Sequence, residues 1–264
     1  MAASEELLEP DEGQAFDVAN GDATGQFVIV CEHASNRMPR RLGTLGLEPS
    51  ALEAHVAWDP GALALADVLA ERLRAPRLAA RFSRLAHDVN RPPASPAAMP
   101  EMSERYPIPG NVGLDEAERM RRARALFGPF HDALDALLEA RTAAGRQSAI
   151  ATVHSFTPTW FGRPRETEIG ILHDADTRLA DALLARLAAL APGRQIARNV
   201  PYGPEDGVTY TLRRHGLRRG LPNVMIEIRS DLLSDANAVA RMGALLAQGL
   251  EEAAAGIGLS VEAP

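Results

Sequence analysis

Cysteine, aromatic residues and long apolar runs are all scarce in this sequence, and each shortage closes off a class of protein. The single cysteine, Cys31, allows no intrachain disulfide, and its place inside an apolar run marks a small buried hydrophobe rather than a nucleophile. Aromatics make up only 5% of the chain, against 46% hydrophobic and 24% charged residues, which is the balance of a globular protein packed mainly with aliphatic side chains. No stretch approaches the roughly eighteen uninterrupted apolar residues of a membrane span. There is no basic surplus either. A formal net charge of −7 argues against nucleic acid as a partner. A glycine-rich phosphate loop, an HExxH pair, a CxxC pair and internal repeats are also absent, so nucleotide chemistry is disfavoured and no single short motif announces a metal site.

With 264 residues the chain suffices for one large α/β domain. Residues 1–25 carry Glu5, Glu6, Glu9, Asp11 and Glu12 and no apolar segment. They read as a mobile acidic tail, the opposite of a secretory signal, which leaves 26–264 as a single domain of a cytoplasmic protein, monomeric or a small homo-oligomer.

What the sequence does have is a recurring pattern of apolar strands that stop at polar side chains. The run FVIVC, residues 27–31, ends at Glu32, His33 and Asn36; residues 149–153 end at His154 and Ser155. Residues 223–228 put Val224, Ile226 and Ile228 on one face and Met225 and Glu227 on the other, and a carboxylate inside a buried strand is costly. A strand over 78–82 leads into SRLAHDVNRPP, where Arg84, His87, Asp88 and Arg91 crowd together with Arg81 just upstream. Further strands are predicted over 168–172 and, at an edge, over 195–200. Helices are predicted over 49–56, after Asp59 as N-cap and Pro60 as first helical residue, over 115–144, 177–190, 208–215 and 236–255. The 115–144 stretch should break or kink at Gly128-Pro129, and Arg119, Arg121, Arg122 and Arg124 read as its solvated face. Residues 92–113, with six prolines and two glycines, form a long ordered loop of the kind that serves as a lid. Strands alternating with helices give the α/β class: three layers, α/β/α, around a mainly parallel, mixed sheet.

In such sheets ligands collect at the carboxyl ends of the strands. His33, His154, Glu227 and Asp59 together are the kit of a zinc hydrolase: nitrogen and oxygen ligands from separate strands, plus a carboxylate that is not a ligand. The alternative is two core histidines beside a capping aspartate. A planar guanidinium recognises a carboxylate through two parallel hydrogen bonds, and a small dianionic substrate needs two such cations; Arg91 and Arg84 are the candidates, with surface salt bridges as their other reading. Arg214 and His215, after the loop around Gly203 and Gly207, are placed to complete the pocket or to donate to a developing oxyanion.

CEHASN, WDPGA, SRLAHDVNRP, VHSF, RRHG and IEIR occur in the order and approximate spacing of the N-formylglutamate amidohydrolase family, which the chain resembles from about Phe27 to Leu250. DVNRP is also similar to the Asp-x-Asn-Arg element of the wider zinc carboxypeptidase and acylase clan, which includes aspartoacylase and succinylglutamate desuccinylase. The resemblance implies a zinc-exopeptidase-like fold and a hydrolase of an N-acyl amino acid, most simply N-formyl-L-glutamate, that uses zinc or another divalent metal. It further implies Asn90 and Arg91 on a substrate carboxylate and Glu227 as general base. Where the acylases have His-x-x-Glu with both residues on zinc, this chain has His33 and Asn36. A neutral amide is a poor zinc ligand. The third ligand therefore passes to Asp59, with Glu32 and His55 as alternatives, and Asn36 joins the substrate-binding set. The implied metal set is His33, Asp59 and His154, with Glu227 and His215 catalytic. A relative acting on a larger acyl group, and a non-catalytic binding protein with Glu227 locked to Arg229, are the rival readings.

Overall fold

Phe27–Cys31, five consecutive residues without a charge, form a strand buried on both faces, as a parallel sheet with helices on either side demands. The computed structural model describes residues 6–259. Its strands are β1 (Phe16–Ala19), β2 (Phe27–Cys31), β3 (Arg77–Ala80), β4 (Met102–Ser103), β5 (Tyr106–Pro107), β6 (Ala149–Phe156), β7 (Thr159–Trp160), β8 (Arg163–Pro164), β9 (Ile169–Leu172), β10 (Ile196–Arg198) and β11 (Asn223–Arg229). The helices are α1 (Pro49–Glu53), α2 (Ala62–Arg72), α3 (Glu116–Arg122), α4 (Gly128–Ala143), α5 (Arg178–Leu190) and α6 (Ala236–Gly256). Seven strands make the main sheet in the order β1-β3-β2-β6-β11-β9-β10, and β4-β5 and β7-β8 are separate hairpins. β3, β2, β6 and β11 run parallel, while β1 pairs antiparallel with β3, and β9 antiparallel with β11.

The sheet divides its side chains between two helical layers. Phe27, Ile29, Val153, Val224, Ile226 and Ile228 pack with α2, α5 and α6, whereas Val28, Val30 and Ile150 meet Phe130, Leu134 and Leu138 of α4. This is the expected three-layer α/β/α class with a mainly parallel, mixed sheet. Among the described residues, no helix is long and apolar enough to cross a membrane.

Four local expectations are corrected. The mobile tail of 1–25 is, over its described part, built into the fold: β1 extends the sheet, Leu7 and Ala15 are buried, and Glu12 and Asp17 are spent on Arg40 and Arg77. Its first five residues lie outside the described ones. Second, Pro129 does not break its helix. A π-helical segment, Ala123–Phe127, joins α3 to α4 immediately ahead of it, and the wider turn accommodates the ring and the missing donor. Third, the arginines of α3 are not all solvated: buried Arg122 donates to Asn111 Oδ1 and the Gly110 carbonyl, and Arg119 to the Ser95 carbonyl. They fasten the 92–113 loop as a fixed wall. Fourth, the predicted 208–215 helix starts later, with a π-helical segment over Leu212–Gly216 that runs on into a 3-10 segment over Leu217–Arg219.

Candidate active site

At the carboxyl ends of the central strands, a cavity of about 340 Å³ opens, lined among others by His33, Asp59, Arg84, Asp88, Asn90, Arg91, His154, Tyr202, Met225 and Glu227. The sheet register builds its floor. β11 lies parallel to β6 with Glu227 directly opposite His154, and β2 ends beside them at Glu32 and His33. Asp59 arrives from the loop before α2, where its backbone N–H donates to the His33 carbonyl at 2.9 Å. The expected capping role falls away. Gly61, left-handed at φ 82°, is the N-cap instead, and the carboxylate of Asp59 turns towards the histidines.

His33 Nδ1 and His154 Nδ1 both converge on Asp59 Oδ2, at 3.3 and 2.8 Å. One ligand atom from each of the three buried residues lies within 4.8 Å of the others. Behind the rings stand two more carboxylates, with Asp88 Oδ1 2.8 Å from His33 Nε2 and Glu32 Oε2 3.2 Å from His154 Nε2. Two imidazole nitrogens and one carboxylate oxygen converging on a point suit zinc. The donor set fits a divalent cation on this chain's own geometry.

The electrostatics follow from this crowding. Burial alone would raise the Asp59 and Asp88 carboxyls, but the adjacent imidazoles, with Arg84 beside Asp88, outweigh it and hold both well below the usual range. Burial would lower His33 and His154; their carboxylate neighbours instead hold His33 above its ordinary value and His154 well above it. Glu227 goes the other way. Burial and the charge of Asp59 push it up to about 7, against His154, His33 and Arg84, and its Oε2 has no hydrogen-bond partner among the described residues. Arg229 does not lock it, since that guanidinium is paired with Asp231 at 2.8 Å.

Arg84 reaches Asp59 at 3.4 Å and Asp88 at 3.2 Å, and Arg91 lies 3.8 Å from Asp88 while donating to the Asp206 carbonyl. These are salt bridges inside the cavity, not on the surface. Asn90 also lines it, but its amide is spent on the Val208 carbonyl and the Thr211 N–H, so it ties two loops together.

Three expected site residues stand elsewhere. Asn36 donates to the Leu52 carbonyl away from the cavity. Arg214 lies over the Phe127 ring and bonds Tyr210. His215 is buried behind the DVNRP loop, 3.0 Å from Asp135 and 2.8 Å from His131, whose other nitrogen meets the Val89 carbonyl. Burial pushes His131 down to about 3 and His215 to about 4. His215 does not line the cavity, and both its ring nitrogens face Asp135 and His131, so it stands outside direct contact with a bound substrate. Sequence reasoning in turn missed the walls of the cavity: Trp160 on the β7–β8 hairpin, Tyr202, Met225, and Glu104, paired with His55 at 2.9 Å. Met225 alone had a signal, sharing its strand face with Glu227.

Solved structures with this architecture exist. The gene product Atu2144 from Agrobacterium tumefaciens is 51% identical with a TM-score of 0.93, over 96% of this chain and 100% of that one. N-formylglutamate amidohydrolase from Ralstonia eutropha JMP134 shares the fold at 22% identity and a TM-score of 0.65, over 91% and 97%. No curated protein matches. The model of the N-formylglutamate amidohydrolase family matches residues 25–234, a span that holds every residue of the cavity described above, and the chain belongs to that family of amidohydrolases.

Proposed function

We propose that the protein hydrolyses the amide of a small anionic N-acyl amino acid, N-formyl-L-glutamate to formate and L-glutamate being the simplest case, with a divalent cation held by His33 Nδ1, His154 Nδ1 and Asp59. The observation that carries this reading is the convergence of those three donors beside a buried carboxylate, Glu227, whose pKa stands at about 7. A zinc ion there supplies a Lewis acid that polarises the scissile carbonyl and makes water a nucleophile at neutral pH. Glu227 takes the proton from the attacking water and returns it to the departing amine, a role that its unengaged oxygen and raised pKa suit. Arg91 and Arg84 hold the substrate carboxylates. Both already share Asp88, so they are preorganised rather than free to swing. Degradation of histidine in the cytoplasm is the matching setting, and the chain, with β1 as part of its sheet, would act as one hydrolase domain.

The test is an assay of the purified protein, loaded with zinc or cobalt, against formyl-, acetyl- and succinyl-glutamate and the corresponding aspartates. Formylglutamate should be turned over fastest, with near-stoichiometric metal by elemental analysis that is lost in His33→Ala and His154→Ala. Full activity in a metal-free preparation would sink the reading.

A further inference from the structure

Glu32 is 1% exposed, and among the described residues neither of its carboxylate oxygens has a regular hydrogen-bond partner. A carboxylate taken wholly out of water costs several kcal/mol unless something nearby compensates it. Its polar neighbours are the Thr211 side chain and His154, whose Nε2 stands 3.2 Å from Oε2. The His154 contact lies on the edge of the imidazole away from Nδ1, the nitrogen that faces Asp59. A carboxylate only accepts, so without a cation both nitrogens hold protons, Nε2 towards Glu32 and Nδ1 towards Asp59; a cation takes the Nδ1 lone pair in place of its proton, and Glu32 keeps the proton on Nε2. His33 is arranged alike, with Nε2 against Asp88 and Nδ1 towards Asp59.

We propose that Glu32 is a positioning residue for the metal centre: it holds His154 in the Nε2–H form with Nδ1 aimed at the cation, and is neither a ligand nor the proton shuttle. The inference rests on the metal reading above and deepens it. Glu32 is excluded as a ligand by placement, since its contact with His154 is on the far side of the ring. It is excluded as the shuttle by the same geometry, because it does not line the cavity where substrate and water enter, whereas Glu227 does. Glu32 and His33 are consecutive, so the end of one strand supplies a ligand and the support of the other histidine ligand. Carboxylates behind metal-binding histidines fix ring orientation and raise ligand basicity, and losing one costs about 10- to 100-fold in metal affinity.

The experiment compares wild type, Glu32→Gln and Glu32→Ala for Zn²⁺ affinity by chelator competition, and for the visible spectrum of the Co²⁺ forms. Glu32→Gln preserves shape, and unfolding of the metal-free proteins checks that it folds. The expected result is binding weaker by about 10- to 100-fold in both variants, a Co²⁺ band of unchanged shape, and faster solvent exchange of the His154 Nε2 proton in the zinc form by NMR. Equal affinities and an unchanged proton overturn the proposal while leaving the metal reading intact. A Co²⁺ band showing a lost oxygen donor overturns it by making Glu32 a ligand. A wild type that binds no metal overturns both.

Discussion

At the scale of single residues, Glu227 carries the most specific consequences. As a proton acceptor it must be ionised, so kcat/KM falls on the acid side of its pKa; a cation at the three ligands favours the charged form and moves that limb below pH 7. Glu227→Gln should lose about 10² to 10⁴ in kcat, and the acid limb with it, while elemental analysis still finds the metal. The stability effect has its own sign. The folded pKa of about 7 lies above the ordinary value of 4.5, so in metal-free protein the neutral acid favours folding below pH 4.5, and that support is lost as pH rises through 7. Glutamine cannot ionise. Denaturant unfolding should therefore show metal-free Glu227→Gln gaining on wild type between pH 4 and pH 8, by up to about 3 kcal/mol. Arg91→Lys keeps the charge and loses the fork, so kcat/KM should drop by about a hundredfold, on the order of 3 kcal/mol, with the fold unchanged. An unaltered kcat/KM would take Arg91 out of the site.

At the scale of elements, β2, β6 and β11 were legible because each holds a short, mainly apolar stretch beside the polar side chains of the site, as burial on both faces requires. β1 was not. Four residues, with Asp17 and Val18 exposed, are too few to display a period, and the strand exists only because β3 offers an open edge. The π-helical join before Pro129 was equally hidden, since proline signals a break wherever the surrounding helix cannot widen. Gly170 in β9 is a third feature that only packing reveals. A Cβ there would stand 2.0 Å from the Val200 carbonyl and 3.2 Å from Glu227 Cβ, so the glycine lets the loop after β10 close over the strand next to Glu227. Gly170→Ala should cost about 1–3 kcal/mol through overpacking. Because the strain reaches Glu227, kcat should fall more than KM rises, which steady-state kinetics beside thermal melts would show.

At the scale of the whole molecule, the sequence order of the site residues conceals which of them meet. His33, Asp59, Arg84, Asn90, Arg91, His154 and Glu227 come together because the carboxyl ends of β2, β6 and β11, the loop before α2 and the loop after β3 meet on the same edge of the sheet. Arg214 and His215 belong to a π-helical segment whose side chains face Asp135, Phe127 and His131, a direction that no spacing rule discloses. What this one edge gathers also couples the centre to global stability. In metal-free protein His33 and His154 are held above their ordinary value of 6.5, so their protonated forms support the fold fully below that pH, and the support is lost as pH rises through the folded values. Asp59, held low, keeps its contribution throughout this range and loses it only in strong acid. A cation needs the same Nδ1 atoms bare, so binding displaces protons and strengthens with pH. Metal-free stability therefore declines from about pH 6.5 upward while the zinc-bound form resists. Melts with zinc and with chelator at pH 6, 7 and 8 should show a gap that widens with pH, amounting to about 2.7 kcal/mol where free zinc is a hundred times its Kd. His154→Ala should flatten it. A gap that narrows with rising pH would mean that the stabilising ion binds somewhere other than these histidines.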